Sequence, residues 1–194
     1  MALSTLDTGT ALVLIDLQKG ITAIPGAPYS MTETIDRAAE LADAFRAHRL
    51  PVVLVRVSGA PDGSDFAQGR SDAPRRTGGV RPAGWDVIVD ELAGHADDLV
   101  VTKRNVGAFY GTDLELHLRR RGITQIVLAG VATSMGVEST ARAAHDHGYH
   151  VTLATDAMTD MDATVHQHSV DRILPRFGET GTTAEILELL EKTR

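Results

Sequence analysis

Three places in the chain join a chemistry-bearing residue to a position where a fold could use it. Asp16 stops the apolar run ALVLI (11–15), and Lys103 follows the run LVVT (99–102). The segment GVATSMGVESTAR opens directly after QIVLA (125–129) and carries Ser134 and Gly136 at a helix start. A carboxyl group can give or take a proton, and an ammonium can hold that carboxylate or a substrate anion. Backbone N–H groups at a helix start can hold a negative oxygen. Gly136 admits close approach by a substrate, or it serves a tight strand-to-helix turn. Each residue alone also has an ordinary reading, Asp16 as a turn residue and Lys103 as a surface cation. They describe one site if the three apolar runs are strands of one parallel sheet, whose carboxyl ends form the natural crevice.

The elements that must position them alternate between strand and helix. Residues 11–15, 52–57, 99–102, 125–129 and 150–154 are continuous apolar runs rich in Val and Ile. That pattern fits strands covered on both faces. A periodic segment at 31–48 puts Ile35, Ala38, Leu41 and Phe45 on one face, with Ser30 and Glu33 as a capping box. Helices are also predicted over 112–121 and 182–190, each opened by a capping box (Thr112 with Glu115, Thr182 with Glu185). Two more cover 134–147, ended by Gly148, and 162–174, while Gly122 sits where a left-handed C-cap belongs. The βαβ spacing predicts one α/β domain over 1–194, a mostly parallel sheet between helical layers.

Residues 58–84 break the pattern. This stretch of 27 residues holds six Gly and three Pro, beyond the usual length of a connection. Within it Arg70, Arg75, Arg76 and Arg81 face only Asp72. One reading is a solvated insertion or a subunit contact. The other is an arginine-bearing flap over an anionic substrate, because a planar guanidinium meets a carboxylate through two hydrogen bonds.

Composition narrows the functions. Hydrophobic residues make up 43% of the 194 and charged residues 23%, which excludes wholesale disorder. A net charge of -7 speaks against a nucleic-acid carrier. No apolar stretch reaches the length of a membrane span, and the start MALSTLDTGT lacks a basic-then-apolar leader, so a cytoplasmic protein is expected. There is no cysteine, which excludes disulfides, thiolate metal sites and thiol nucleophiles. His145 and His147, like His166 and His168, stand two apart on predicted helices and so diverge. Neither a metal nor another cofactor is expected.

Taken whole, ALVLIDLQKG (11–20), VVTKRNVGAFYGTDLELHLRRRGI (100–123) and GVATSMGVESTARAAHDHGYHVTLATDA (130–157) resemble the signature stretches of the isochorismatase-like hydrolases. That superfamily includes nicotinamidases, N-carbamoylsarcosine amidases and related cysteine hydrolases. The resemblance implies a three-layer α/β/α sandwich around a mostly parallel, Rossmann-like sheet of about six strands. It places the sixth strand near 176–179 and implies homodimers or larger homo-oligomers acting on a small molecule, without nucleic acid or membrane. The family's Asp and Lys correspond to Asp16 and Lys103, its Thr to Thr133, and its Cys nucleophile to Gly136. It further implies a cis peptide at Val131–Ala132, with backbone from Val131, Ala132 and Gly136 serving an oxyanion. Gln18, Phe109, Tyr110, Thr133 and Ser134 would then line the pocket, with Gln18 orienting Asp16 or acting as a turn residue. The nicotinamidase metal site would need His residues beside Asp62 and Asp65, and none occurs between Arg49 and His95.

Glycine at 136 removes the thioester route of the amide-cleaving members. It is similar instead to the true isochorismatases, which cleave a vinyl ether without a thiol. In that chemistry Asp16 would be the general acid and Lys103 would hold the substrate in register. LIDLQ is closer to the general hydrolase version of this motif than to the HDMQ of siderophore and phenazine isochorismatases. Three readings therefore stand: a thiol-independent hydrolase of a small anionic metabolite such as isochorismate, a hydrolase of another small substrate by a different mechanism, or a silent or nucleophile-knockout relative with a binding or structural role.

Overall fold

The structure, a computed structural model, describes residues 3–66, 69–70, 72 and 81–193. Arg75 and Arg76 lie outside the described residues. Six strands, β1 (Thr10–Ile15), β2 (Val52–Val57), β3 (Leu99–Lys103), β4 (Gln125–Val131), β5 (His150–Thr159) and β6 (Glu179–Gly181), form one sheet. Their order is β3-β2-β1-β4-β5-β6, and every neighbouring pair is parallel. β1 and β4 are thus central, and the chain reverses its direction of travel across the sheet between them. This is the switch point at which open α/β sheets bind ligands.

Alternate residues of each strand feed opposite layers. Leu12, Leu14, Val52, Leu54, Val127 and Ala129 pack with α2 (Met31–Ala47) and α6 (Thr183–Thr193). Ala11, Val13, Ile15, Val53, Val55, Ile126 and Leu128 pack with α3 (Leu114–Arg120) and α4 (Glu138–Asp146). Burial on both faces explains why the strands read as unbroken apolar runs. Among the described residues there are also two short helices, α1 (Lys19–Thr22) and α5 (Ala163–His168). Among the described residues no helix is long and apolar enough to cross a membrane.

Gly130 has φ 118°, and a Cβ there would run into the backbone of Ile15, its partner across the β1–β4 ladder. Glycine lets the two central strands meet closely just where both reach the carboxyl edge.

The capping boxes at Ser30 and Thr182 form as read, with Glu33 and Glu185 accepting from the cap backbone at 2.8 and 2.7 Å. The one at Thr112 does not form. Glu115 is drawn instead to Arg119 and His147, and α3 starts only at Leu114. The helix expected over 134–147 begins as a π turn, Thr133–Val137, before α4. That expected over 162–174 divides into Ala163–His168, a π turn and a 3-10 turn, Leu174–Arg176. Because 174–176 stay helical, the sixth strand begins at Glu179 rather than 176. Strand β5 runs on to Thr159, aided by a register shift between Leu128 and Gly130 that lets Met158 and Thr159 pair with Gly130 and Val131.

Candidate active site

Asp16 is the first residue past β1 and has φ 54°, so the chain turns sharply there. Short polar side chains tolerate this left-handed conformation better than bulky ones do. The turn is held by hydrogen bonds from Asp16 N to Val55 O (2.8 Å) and from Gln18 N to Asp16 O (2.9 Å). Lys103 ends β3, two strands away. Its Nζ lies 2.8 Å from Asp16 Oδ2 and donates to Val106 O at 2.6 Å. Both side chains are almost fully buried, at 9% and 3% exposure. The second carboxylate oxygen, Asp16 Oδ1, is buried and has no hydrogen-bond partner among the described residues.

Burial raises the Asp16 carboxyl to about 6, against the pull of the Lys103 charge and hydrogen bond, which favour the anion. Desolvation wins because an anion at this depth loses more hydration than one cation restores. The folded chain therefore binds this proton more tightly than the unfolded chain. The associated stability is complete below the ordinary carboxylate range and lost as pH rises through about 6.

Gly136 closes the group from the π turn after β4. A Cβ built on it would lie 3.3 Å from Asp16 Oδ2, 3.3 Å from Lys103 Nζ and 2.8 Å from Ile15 Cγ2. The three residues singled out by strand-end position are thus brought together. The Val131–Ala132 peptide is cis, as the resemblance implied.

The other expected residues divide. Thr133 is buried, its hydroxyl 2.8 Å from His166 Nδ1. Ser134 donates through N and Oγ to Asp160 Oδ2 at 2.8 and 2.7 Å. Both therefore anchor the turn that carries Gly136. Gln18 does not orient Asp16. Its amide accepts from Val57 N (2.8 Å) and donates to the carbonyls of Val57 and Trp85, tying the end of β1 to β2 and to the returning 81–92 segment. The Phe109 ring sits in the core against His147 and Tyr149, at centroid distances of 5.0 and 5.9 Å, and Tyr110 is 79% exposed. Arg70 is exposed, and Arg81 is stacked between two aromatic rings. Asp65 pairs with Arg104 at 2.6 Å, and Asp62 accepts from Ser64 N.

A strand-end acid bound to a lysine, under a turn entered through a cis bond, is what the three signature stretches implied. The isochorismatase domain family matches residues 10–185. The chain belongs to the isochorismatase family. It is 44% identical over 181 residues to the isochorismatase family protein YecD of Escherichia coli O157:H7, covering 93% of this chain and 96% of YecD. It is 45% identical over 180 residues to YwoC of Bacillus subtilis strain 168, covering 92% and 93%. An isochorismatase family protein from Burkholderia thailandensis has the same fold at a TM-score of 0.92 and 42% identity, over 96% and 98% of the two chains. The protein is thus a member of this hydrolase family that has no cysteine to act as nucleophile.

Sequence reasoning missed Asp160 and His166. Both are buried and both hold the turn around Gly136. Burial lowers the His166 pKa despite opposing pulls from Asp160 and Asp171, which favours a neutral ring beside Thr133. The available signal was Asp160 itself, an acid in the position directly past a strand end, as Asp16 is.

Proposed function

We propose that this protein hydrolyses the vinyl ether of a small anionic metabolite, with isochorismate as the substrate to try, using Asp16 as general acid and no covalent intermediate. What supports the reading is a buried carboxyl 2.8 Å from Lys103 Nζ, whose pKa burial raises to about 6, beside Gly136, which the resemblance places where the cysteine hydrolases carry their thiol. Asp16 gives its proton to the terminal methylene carbon, and the C=C electron pair forms the new C–H bond. The ether oxygen supports the resulting oxocarbenium ion. Water adds to that carbon and returns a proton to Asp16. The hemiketal then breaks its bond to the ring oxygen, which takes the hemiketal proton, giving pyruvate and a dihydroxy-cyclohexadiene acid. An acid with a pKa near the working pH suits this task. Lys103 stands where it can hold a substrate oxygen while limiting how far the Asp16 pKa rises.

The test is pyruvate release from isochorismate by the parent and by Lys103→Met. The parent is expected to turn over. The variant loses both influences that pull the Asp16 pKa down, so the pH at which kcat/KM declines should move upward, with a higher KM. No pyruvate from the parent, or an unmoved decline in the variant, would count against the proposal.

A further inference from the structure

Four cations in or just beyond the carboxyl ends of β1, β2 and β3 are already matched. Lys103 pairs with Asp16, Arg104 with Asp65, Arg56 with Asp86 and Lys19 with Asp90. Arg81 makes no ion pair among the described residues. Its guanidinium carbon lies 4.2 Å from the ring centroid of Phe66 and 4.2 Å from that of Trp85. Two ring faces fix the plane and position of a cation at little cost in hydration. Its Nη1 is buried and has no hydrogen-bond partner among the described residues. A buried charged N–H without an acceptor is destabilising, so this arrangement suits an acceptor supplied from outside the chain.

The clamp is tied to the same sheet edge as Asp16. The Trp85 carbonyl accepts from Gly20 N at 2.8 Å and from Gln18 Nε2 at 3.3 Å, only a few residues past Asp16. Phe66 covers Gly59, two residues past β2, so closely that a Cβ there would come within 2.7 Å of its ring. Asp65, beside Phe66, is bound to Arg104, which follows Lys103. Residues just beyond β1, β2 and β3 therefore hold Arg81 in place.

We infer that Arg81, clamped between Phe66 and Trp85, is the subsite for a planar carboxylate of the substrate. This rests on the proposed function only in taking the substrate to be an anion held at this edge. A fixed guanidinium edge matches the two oxygens of a carboxylate, and a chain of net charge -7 needs such a local cation to retain an anion. Arg81 binds and orients; it moves no proton.

Trp85 is the only tryptophan in the chain, so its fluorescence reports on its own clamp. The probes are benzoate and its neutral isostere benzamide, titrated into the parent, Arg81→Met and Arg81→Lys. Benzoate should change the emission of the parent saturably, and benzamide should not. Arg81→Met should bind benzoate about tenfold more weakly or worse, and Arg81→Lys should fall between, because lysine lacks the planar fork. Circular dichroism melts confirm that each variant is folded. Equal responses to both probes, no response in the parent, or parental benzoate affinity in folded Arg81→Met would overturn the inference. Isochorismate kinetics separate it from the chemistry. Turnover with an unchanged KM in Arg81→Met would remove the subsite and leave the general acid standing. Benzoate binding through Arg81 in a protein that releases no pyruvate would do the reverse.

Discussion

Replacing Asp16 with Asn should lower kcat/KM on isochorismate by roughly 100-fold or more, chiefly through kcat. Asparagine keeps the size and the hydrogen-bonding outline of the side chain but has no proton to give to carbon. The fall should therefore appear in the chemical step, while substrate affinity, set by groups such as Lys103 and Arg81, changes far less. The substitution also leaves the ammonium of Lys103 buried without its carboxylate partner. Breaking a buried pair from one side is destabilising, so the variant must be assayed well below its melting temperature. The check is steady-state kinetics with pyruvate detection, beside a thermal melt. Activity within a few-fold of the parent would take Asp16 out of the chemistry.

Gly136→Cys should abolish the native activity without creating an amidase. The position looks like a simple restoration, since the resemblance places the thiol of the amide-cleaving members there. The packing says otherwise. The Cβ would come 2.8 Å from Ile15 Cγ2, a methyl on a fully buried, β-branched side chain in a central strand, which has little freedom to move aside. Sulfur would extend beyond a Cβ already 3.3 Å from both Asp16 Oδ2 and Lys103 Nζ, so the side chain would crowd the ion pair. Overpacking of this kind costs about 1–3 kcal/mol in stability. The expected result is a lower melting temperature, at least about a 100-fold loss of vinyl-ether turnover, and no hydrolysis of small amides. Amide cleavage in the variant, with alkylation of its single thiol stopping it, would identify a cysteine hydrolase that has lost its nucleophile.

The contrast between what was and was not legible follows the range of the interactions. β2 was read to the residue because its first four residues, Val52 to Val55, form an apolar run buried on both faces. The boxes at Ser30 and Thr182 were legible because both partners lie within one turn. The Thr112 box failed through a distant residue, since His147 takes part of Glu115. β5 was read as ending at 154 because Thr155 and Asp156 break the apolar run. In the structure these two are not a terminus: Thr155 donates to Gly181 O, and Asp156 accepts from Thr183, fixing β6 and the start of α6. With the strand cut short, Asp160 and His166 had no place in the site. Asp16 and Lys103 were legible as types at strand ends, but their 2.8 Å contact depends on a sheet order in which β2 lies between β1 and β3. The Arg81 clamp uses rings 15 residues before it and four after it, a pattern with no period to detect.

The central claim is that Asp16 works as an acid, and its sign is open to one measurement, the pH dependence of kcat/KM for isochorismate in the parent protein. A carboxyl that must be protonated is competent below its pKa. The profile should be level at low pH and fall about tenfold per unit above roughly pH 6. A profile that instead rises through that region would mean that the carboxylate is the active form, as a base, and would contradict the account.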